Sequence, residues 1–176
     1  ILNVIYPTMK SLFLIIFLLT PFIAEAQPLE NPGFESGDQE WVIKNPATAS
    51  VAAEAAHDGK LGLRLRIGDD AERAHVDTAK LPLDAGRKVK LGFWARTSSD
   101  QTGGVVLLAF SSNNKPVVDE NGKPLLTVGI RNSPEWTHFE KEFTLPDEVS
   151  SVAIAIRSWT GSSGTIDLDD FELKIE

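Results

Sequence analysis

Acidic and apolar residues alternate near the end of the chain, and this segment offers the clearest site chemistry. In a strand, Phe171, Leu173 and Ile175 would share the core-facing side, because charged residues separate them. The same alternation, continued backwards, places Asp169 and Asp167 on the inward side as well. A buried carboxylate needs hydrogen bonds, a counter-charge or a metal ion, and the segment contains no base before its last three residues. The pattern therefore favours a cation bound beside these aspartates.

Guanidinium and indole side chains form the second group with binding chemistry. Val152, Ile154 and Ile156 fit one face of a strand, which leaves Arg157 and Trp159 on the other face. Alternation in two further segments turns four more side chains outward: Arg64, Arg66, Trp94 and Arg96. Small-molecule sites combine an apolar or aromatic surface with a few oriented polar groups, so we predict one sheet face that carries these groups, with Trp159 as the best ligand candidate.

Two structural alternatives stay open for these side chains. A solvated strand face with one exposed indole explains the arginines and Trp159 equally well, because single exposed aromatic residues are normal. Trp94 can lie exposed on the polar face or be sandwiched between its sheet and a loop.

A catalytic centre is not indicated by the sequence. No cysteine is present to serve as a thiol nucleophile, and the Gly-Ser-Ser-Gly run at 161–164 is one residue short of a hydrolase Gly-x-Ser-x-Gly elbow. His57, His75 and His138 are widely spaced, and no His-Glu-x-x-His zinc motif occurs. A glycosidase needs only two spaced carboxylates, but an abundance of acidic residues is no evidence for one. A glycoside hydrolase is therefore the least favoured alternative.

Short stretches with a period of two residues, bounded by Gly, Pro, Asn and Asp, dominate the chain after residue 27. They predict strands at 61–67, 88–96, 104–110, 125–130, 136–145, 152–158 and 165–175. Residues 47–56 are alanine-rich but diluted by β-branched residues, so they are expected to be strand or loop. No linker divides the region, which predicts one all-β domain, a two-sheet antiparallel β-sandwich (jelly roll).

The first residues have the pattern of an export signal. Lys10 follows Met9 and precedes an apolar run that ends at Ala24-Glu25-Ala26, which predicts a signal peptide at 9–26 and a secreted or periplasmic domain at 27–176. Residues 1–8 precede Met9 and are interpreted as an upstream translated segment. The apolar run is too short for membrane insertion. The chain has a formal charge of −8, which disfavours nucleic acid and anionic lipid as partners.

Four motifs in a fixed order carry a family resemblance. They are Asn31-Pro32-Gly33-Phe34-Glu35, Trp41, His57-Asp58-Gly59-Lys60 and Leu168-Asp169-Asp170-Phe171. Their order and spacing resemble carbohydrate-binding modules of the type grouped as families four, nine and twenty-two, within the galactose-binding-domain-like jelly rolls. The resemblance covers residues 28–176. It implies a non-catalytic module that binds a poly- or oligosaccharide, and it gives Trp41 and Trp136 packing roles in the core or at an edge.

The resemblance also implies a structural calcium ion. The matching positions are Glu35 and the Asp169-Asp170 pair, and Lys60 lies in a loop that can add a backbone carbonyl. Calcium takes such oxygen ligands, although two acids do not complete its coordination. The alternative is that Glu35 and Asp169 are ordinary turn or edge carboxylates.

The motifs do not specify the glycan. The arginines would accept an acidic sugar as well as a neutral one. A structural or adhesion module that binds protein or cell-envelope material is the other class of function, because jelly rolls serve many roles. Modules of this type are often attached to glycoside hydrolases, so a separate glycoside hydrolase is an expected partner.

Overall fold

The structure, a computed structural model, describes residues 29–67, 72–83, 87–98, 103–159 and 164–176. Strands and one short 3₁₀ turn at Ala53–Ala55 make up the regular structure of this part. The first strands are β1 (Trp41–Ile43), β2 (Ala49–Ala52), β3 (Gly62–Ile67), β4 (His75–Thr78), β5 (Leu81–Pro82) and β6 (Lys88–Thr97). The others are β7 (Gly103–Ser111), β8 (Pro116–Val117), β9 (Leu126–Ile130), β10 (Thr137–Thr144), β11 (Val149–Ser158) and β12 (Gly164–Ile175).

Two antiparallel sheets pack face to face, as the sequence predicted for a jelly-roll sandwich. Within the described chain, the seven-stranded sheet runs in the order β1-β4-β11-β7, with β8 and β9 both paired to β7 and β5 paired to β11. The five-stranded sheet has the order β10-β6-β12-β3-β2. Among the described residues, no helix is long and apolar enough to cross a membrane.

The core consists of the alternate residues that the two sheets turn toward each other. Leu107 of β7 and Ile154 of β11 are fully buried there, opposite Phe93 of β6 and Leu168 of β12. The residues directly before and after each of these in the chain point outward, because successive side chains of a strand point to opposite faces. Every predicted strand segment is confirmed, whereas the short strands β1, β4, β5 and β8 were not predicted.

Aromatic residues from the Asn-Pro-Gly-Phe-Glu motif help to fill the core. The Phe34 ring lies 4.8 Å from the Trp41 ring, and Trp41 lies 5.1 Å from Phe171 of the last strand. Trp41 Nε1 donates a hydrogen bond of 2.9 Å to the Asn31 carbonyl oxygen. The packing role expected for Trp41 is therefore confirmed, and the motif joins the start of the domain to its last strand.

A β-bulge in β12 corrects one sequence prediction. The register of β12 against β6 shifts between Asp169 and Glu172, and Asp170 adopts a left-handed φ of +49°. The extra residue reverses the alternation, so Phe171 faces the core while Asp167 and Asp169 point to the outer side. The prediction that these aspartates face inward with Phe171 was wrong, because a bulge leaves no mark in the hydrophobic pattern.

Three predicted features lie outside the described residues. These are the upstream segment at 1–8, the signal peptide at 9–26 and most of the Gly-Ser-Ser-Gly run.

Candidate functional site

A row of residues crosses the outer face of the seven-stranded sheet. His75 of β4 pairs with Arg157 of β11, Arg157 pairs with Gly104 of β7, and Gly104 pairs with Gly129 of β9. Adjacent strands are about 4.8 Å apart, so the row spans roughly 14 Å. We call this surface, together with Trp159 at the end of β11, the Trp159 face.

The two glycines of this row, which we call the glycine bed, have no side chains and so let an indole ring lie against the strands. A Cβ atom at Gly104 would lie 2.8 Å from Cζ2 of Trp159, and one at Gly129 would lie 3.6 Å from Cη2. The indole therefore lies directly against the backbone of β7 and β9. It remains partly exposed, and no other aromatic ring or cation stacks on it within the described part of the chain. A ring supported on one side by backbone can receive the apolar face of a sugar.

Arg157 is held in place beside this ring. Its Nη2 donates to Asp77 Oδ1 at 2.5 Å, its Nη1 donates to two backbone carbonyl oxygens, and Asp77 also pairs with Lys44 at 3.1 Å. Burial lowers the pKa of the neighbouring His75 below its ordinary value, and the positive charges of Arg157 and Lys44 lower it further. The row thus places a fixed guanidinium and a neutral imidazole next to an indole.

Small and apolar residues continue the Trp159 face along β7 and β11. Val106, Ala153 and Ala155 lie on the outer side, outside the core cluster, yet they are almost fully buried. The strip ends at Phe110, whose ring has the Lys80 ammonium 3.6 Å from its centre. A small cavity of about 150 Å³ adjoins this end, lined by Leu108, Ala109, Phe110, Pro116, Val117, Val118 and Pro124. From Gly104 to Phe110 the strip is about 20 Å long.

The other predicted arginines lie on the outer face of the five-stranded sheet, which we call the Arg96 face (Arg64, Trp94, Arg96 and Asp167). Arg64 Nε donates to Asp167 Oδ1 at 2.7 Å, and Arg96 Nε donates to Asp167 Oδ2 at 3.0 Å. The buried Asp167 is therefore balanced by two guanidinium groups from neighbouring strands. The expectation of a bound cation at this residue was wrong, because its partners are distant in sequence.

Trp94 lies on the outer side of β6, as alternation predicted, but a loop covers it. The His57 ring stacks on the indole at 4.1 Å with an angle of 13° between the planes. Trp136 is half-buried on the same side, 5.1 Å from His57 and 4.8 Å from the Arg96 guanidinium. The predicted ligand set thus divides between two faces: Arg157 and Trp159 lie on one sheet, and Arg64, Trp94 and Arg96 on the other.

The residues expected at the calcium site meet around one loop, at residues 57–61. Asp169 is fully buried and accepts the backbone N–H of His57 at 2.8 Å, while His57 Nδ1 lies 2.7 Å from Asp170 Oδ2. Burial, and to a smaller extent the nearby charge of Asp170, raise the pKa of Asp169 to about 6, although the backbone hydrogen bonds that it accepts act in the opposite direction. The carboxylate of Asp169 has no basic side chain within salt-bridge distance among the residues described.

Glu35 holds the other end of the same loop. Its Oε1 accepts the backbone N–H groups of Lys60 at 2.7 Å and Leu61 at 3.0 Å, and these bonds lower the pKa of Glu35. Gly59 has a φ of +67°, and a Cβ there would lie only 2.4 Å from Glu35 Oε1. The described side chains include no group of three or more His, Cys, Asp or Glu that could hold a metal. The oxygen donors suit calcium in type, and the remaining ligands would have to be backbone carbonyls or water.

Comparison with known protein families identifies the chain. A family model described as a carbohydrate binding domain, CBM_4_9, matches residues 26–164. The chain belongs to this family. Among curated proteins, nothing matches the chain.

Solved structures with the same fold include several carbohydrate-binding modules. "Family 16 Carbohydrate Binding Module-2" has 22% identity and a TM-score of 0.64, covering 83% of this chain and 98% of that one. TmCBM61 in complex with beta-1,4-galactotriose has 19% identity and a TM-score of 0.59, covering 84% and 97%. The CBM22-1 and GH10 modules of a Clostridium thermocellum xylanase, complexed with xylohexaose, have 14% identity and a TM-score of 0.60, covering 85% and 28%. At these identities the likeness shows the shared fold.

Sequence reasoning did not find His75, Asp77 or the glycine bed of this carbohydrate binding domain. The glycine bed had a signal, because a glycine inside a strand indicates that another group approaches the backbone closely. The position of Asp77 beside Arg157 depends on strand pairing between residues 80 positions apart in sequence, which alternation does not encode.

Proposed function

We propose that this chain is a secreted, non-catalytic module that binds a poly- or oligosaccharide on the Trp159 face. Trp159 is the stacking platform and Arg157 the main hydrogen-bond donor. The supporting observation is the indole that lies across Gly104 and Gly129, next to a guanidinium fixed by Asp77. Sugar recognition needs this combination of an apolar face and oriented donors.

The shape of the Trp159 face agrees with an extended ligand. The strip of Val106, Ala153 and Ala155 continues the Trp159 face along β7 and β11 and gives the face an elongated outline, although these three side chains are themselves almost fully buried. Two similar folds were solved with short linear oligosaccharides, beta-1,4-galactotriose and xylohexaose. We infer that the ligand is a linear glycan segment of a few sugar units.

A glycan screen followed by one substitution tests this function. The protein is screened by affinity electrophoresis against plant, algal and bacterial polysaccharides with calcium present. Burial of one aromatic side chain contributes about 1.5–3 kcal/mol, so Trp159→Ala should weaken binding to the selected glycan roughly ten- to hundredfold. Glu142→Gln, on the edge strand of the other sheet, is the matched control and should bind normally.

Two results would contradict the proposal. Unchanged affinity of folded Trp159→Ala would remove this residue from the site. Absence of binding across a broad panel, with protein shown to be folded, would instead favour the structural or adhesion module that binds protein or cell-envelope material.

We further propose that a structural calcium ion accompanies this function. Glu35, Asp169 and Asp170 would supply carboxylate oxygens, and the loop that contains Lys60 would supply a carbonyl. The support is the fully buried Asp169, whose charge a cation would compensate. Calcium would stabilise the loop at 57–61 rather than take part in any chemistry.

A separate glycoside hydrolase is the partner that we propose for this module. The support is the xylanase neighbour, in which a module of this fold accompanies a GH10 module in one polypeptide. A binder on a separate chain gains no effective concentration from a covalent link, so it would act by occupying or marking the same polysaccharide.

A further inference from the structure

The Arg96 face contains a cavity that the proposed function does not use. Its volume is about 230 Å³, and it is lined by Arg64, Arg96, Thr97, Ser98, Pro134, Thr165 and Asp167. It belongs to the five-stranded sheet, so the whole core separates it from Trp159. Its volume is below the range of sites for drug-sized ligands, which suits one sugar unit.

The cavity has a preorganised cationic wall. Asp167 is only 3% exposed and accepts hydrogen bonds from both Arg64 and Arg96. Arg64 also donates to the Glu54 carboxylate at 3.0 Å, and Arg96 Nη2 donates to the Glu54 carbonyl oxygen at 2.7 Å. The Trp136 ring lies against the Arg96 guanidinium at 4.8 Å. These contacts fix both guanidinium planes before any ligand binds.

Arg96 has a hydrogen-bond donor that no described residue uses, and a further guanidinium lies beside the cavity. Arg96 Nη1 makes no hydrogen bond within the described chain, although Nε and Nη2 of the same group do. A third guanidinium, Arg66, is exposed beside Thr165, and its bond is to the neutral Ser50 hydroxyl. Among the described residues, Arg64 and Arg96 both contact the carboxylate of Asp167, Arg64 also contacts that of Glu54, and the exposed guanidinium of Arg66 adds a positive charge beside this cluster.

The remaining lining is suited to a sugar rather than to a bare anion. Ser98 and Thr165 place their hydroxyl oxygens 3.1 Å apart at the wall, and Pro134 adds an apolar surface. Hydroxyl groups can bond the hydroxyls of a pyranose, and a carboxylate on the same ring would meet the free donors of Arg96.

We propose that this cavity is a second binding site, specific for an acidic sugar unit, in which Arg96 binds the carboxylate of a hexuronate. The site is independent of the Trp159 face. A glycan with uronate units could therefore contact the module on either sheet, and an acidic polysaccharide could be bridged by one molecule.

A pair of matched ligands tests the site. Trigalacturonate and its methyl ester are titrated into the full protein by isothermal calorimetry, with Trp159→Ala as the background that removes the first site. We expect trigalacturonate to bind this variant at least tenfold more tightly than the ester, because esterification removes the charge. Arg96→Gln should then lose trigalacturonate binding at least tenfold. Arg66→Gln, which leaves both bonds to Asp167 intact, should weaken it a few-fold.

Folding and specificity controls accompany these measurements. Arg64 still neutralises Asp167 in Arg96→Gln, so this variant should keep the wild-type circular dichroism spectrum. Acetate is included as a competitor, and it should not displace trigalacturonate at concentrations equal to those of the sugar.

Four results would overturn the proposal. These are no binding of trigalacturonate to Trp159→Ala, equal binding of acid and ester, unchanged binding by folded Arg96→Gln, and full displacement by equimolar acetate. None of them bears on neutral glycan binding at Trp159, which the glycan screen tests separately.

Discussion

At the scale of single residues, carboxylates from other strands hold the arginines of both faces in place: Asp77 binds Arg157, and Asp167 binds Arg64 and Arg96. Alternation correctly turned Arg157 and Trp159 away from the core, because one residue step along a strand changes the face. It could not show that Asp77 fixes Arg157, or that Asp167 is neutralised by arginines from two other strands. Those contacts depend on strand order, which a single sequence does not reveal.

The lowered pKa of His75 gives a prediction about pH. Burial, then the charges of Arg157 and Lys44, disfavour the imidazolium in the folded protein. The unfolded chain binds the proton first as the pH falls below about 6.5, so this group's contribution to stability is present above that pH and is lost below it. We expect NMR titration to place the His75 midpoint below that of a model peptide.

Stability measurements check the same group. The loss of stability between pH 7.5 and pH 5.5 should be smaller in His75→Gln than in wild type, because the variant lacks the titrating ring. An NMR midpoint at or above the peptide value would show that the ring is not held neutral by its surroundings.

At the scale of strands, the long elements were predictable and their irregularities were not. Strands such as β6 and β11 alternate clearly over their length, and the structure confirms them. The bulge at Asp170 in β12 inserts one residue into a regular pattern, so the aspartates before it point to the opposite side from the prediction. The arginines expected on one face were divided between two sheets for a related reason. Alternation predicts whether a side chain points toward the core or away from it, but it does not predict to which sheet the strand belongs.

The pairing of β7 with β9 provides a prediction at this scale. A Cβ at Gly104 would lie 2.8 Å from the Trp159 ring and 2.9 Å from the Val128 carbonyl oxygen, whereas a Cβ at Gly129 has ordinary contact at 3.6 Å. Gly104→Ala should therefore displace the indole, lower stability by about 1–3 kcal/mol, and weaken glycan binding nearly as much as Trp159→Ala.

Gly129→Ala is the matched control for this change. It adds the same methyl group to the same face, and it should keep both stability and affinity close to wild type. Calorimetric titration and thermal melting measure the two variants side by side. Equal affinities for both variants would mean that the indole position against β7 is not what the ligand requires.

At the scale of the whole molecule, the Trp159 face and the contacts that join the first and last parts of the described domain lie on different sheets. The Trp159 face belongs to one sheet, whereas Glu35 and Asp169 hold the loop at 57–61 beside the other. The Asn31 carbonyl, Trp41 and Phe171 tie the beginning of the described domain to its last strand in the same region. Loss of the proposed calcium ion would thus affect the closure of the fold more than it affects the Trp159 face.

Chelation of calcium is the prediction that follows from this arrangement. Calcium bound only by the folded state at a hundred times its dissociation constant would add about 2.7 kcal/mol. For a domain of this size, each kcal/mol changes Tm by roughly 2–4 °C, so EGTA should lower the Tm of a calcium-loaded preparation by about 5–10 °C.

Glu35→Gln should melt lower and respond little to EGTA, whereas Asp147→Asn, at a fully exposed position, should respond like wild type. Because the proposed calcium site lies away from Trp159, glycan affinity measured below the melting range should change far less than Tm. An unchanged Tm after chelation would mean that the hydrogen bonds of Glu35 and Asp169 to the loop are sufficient without a metal.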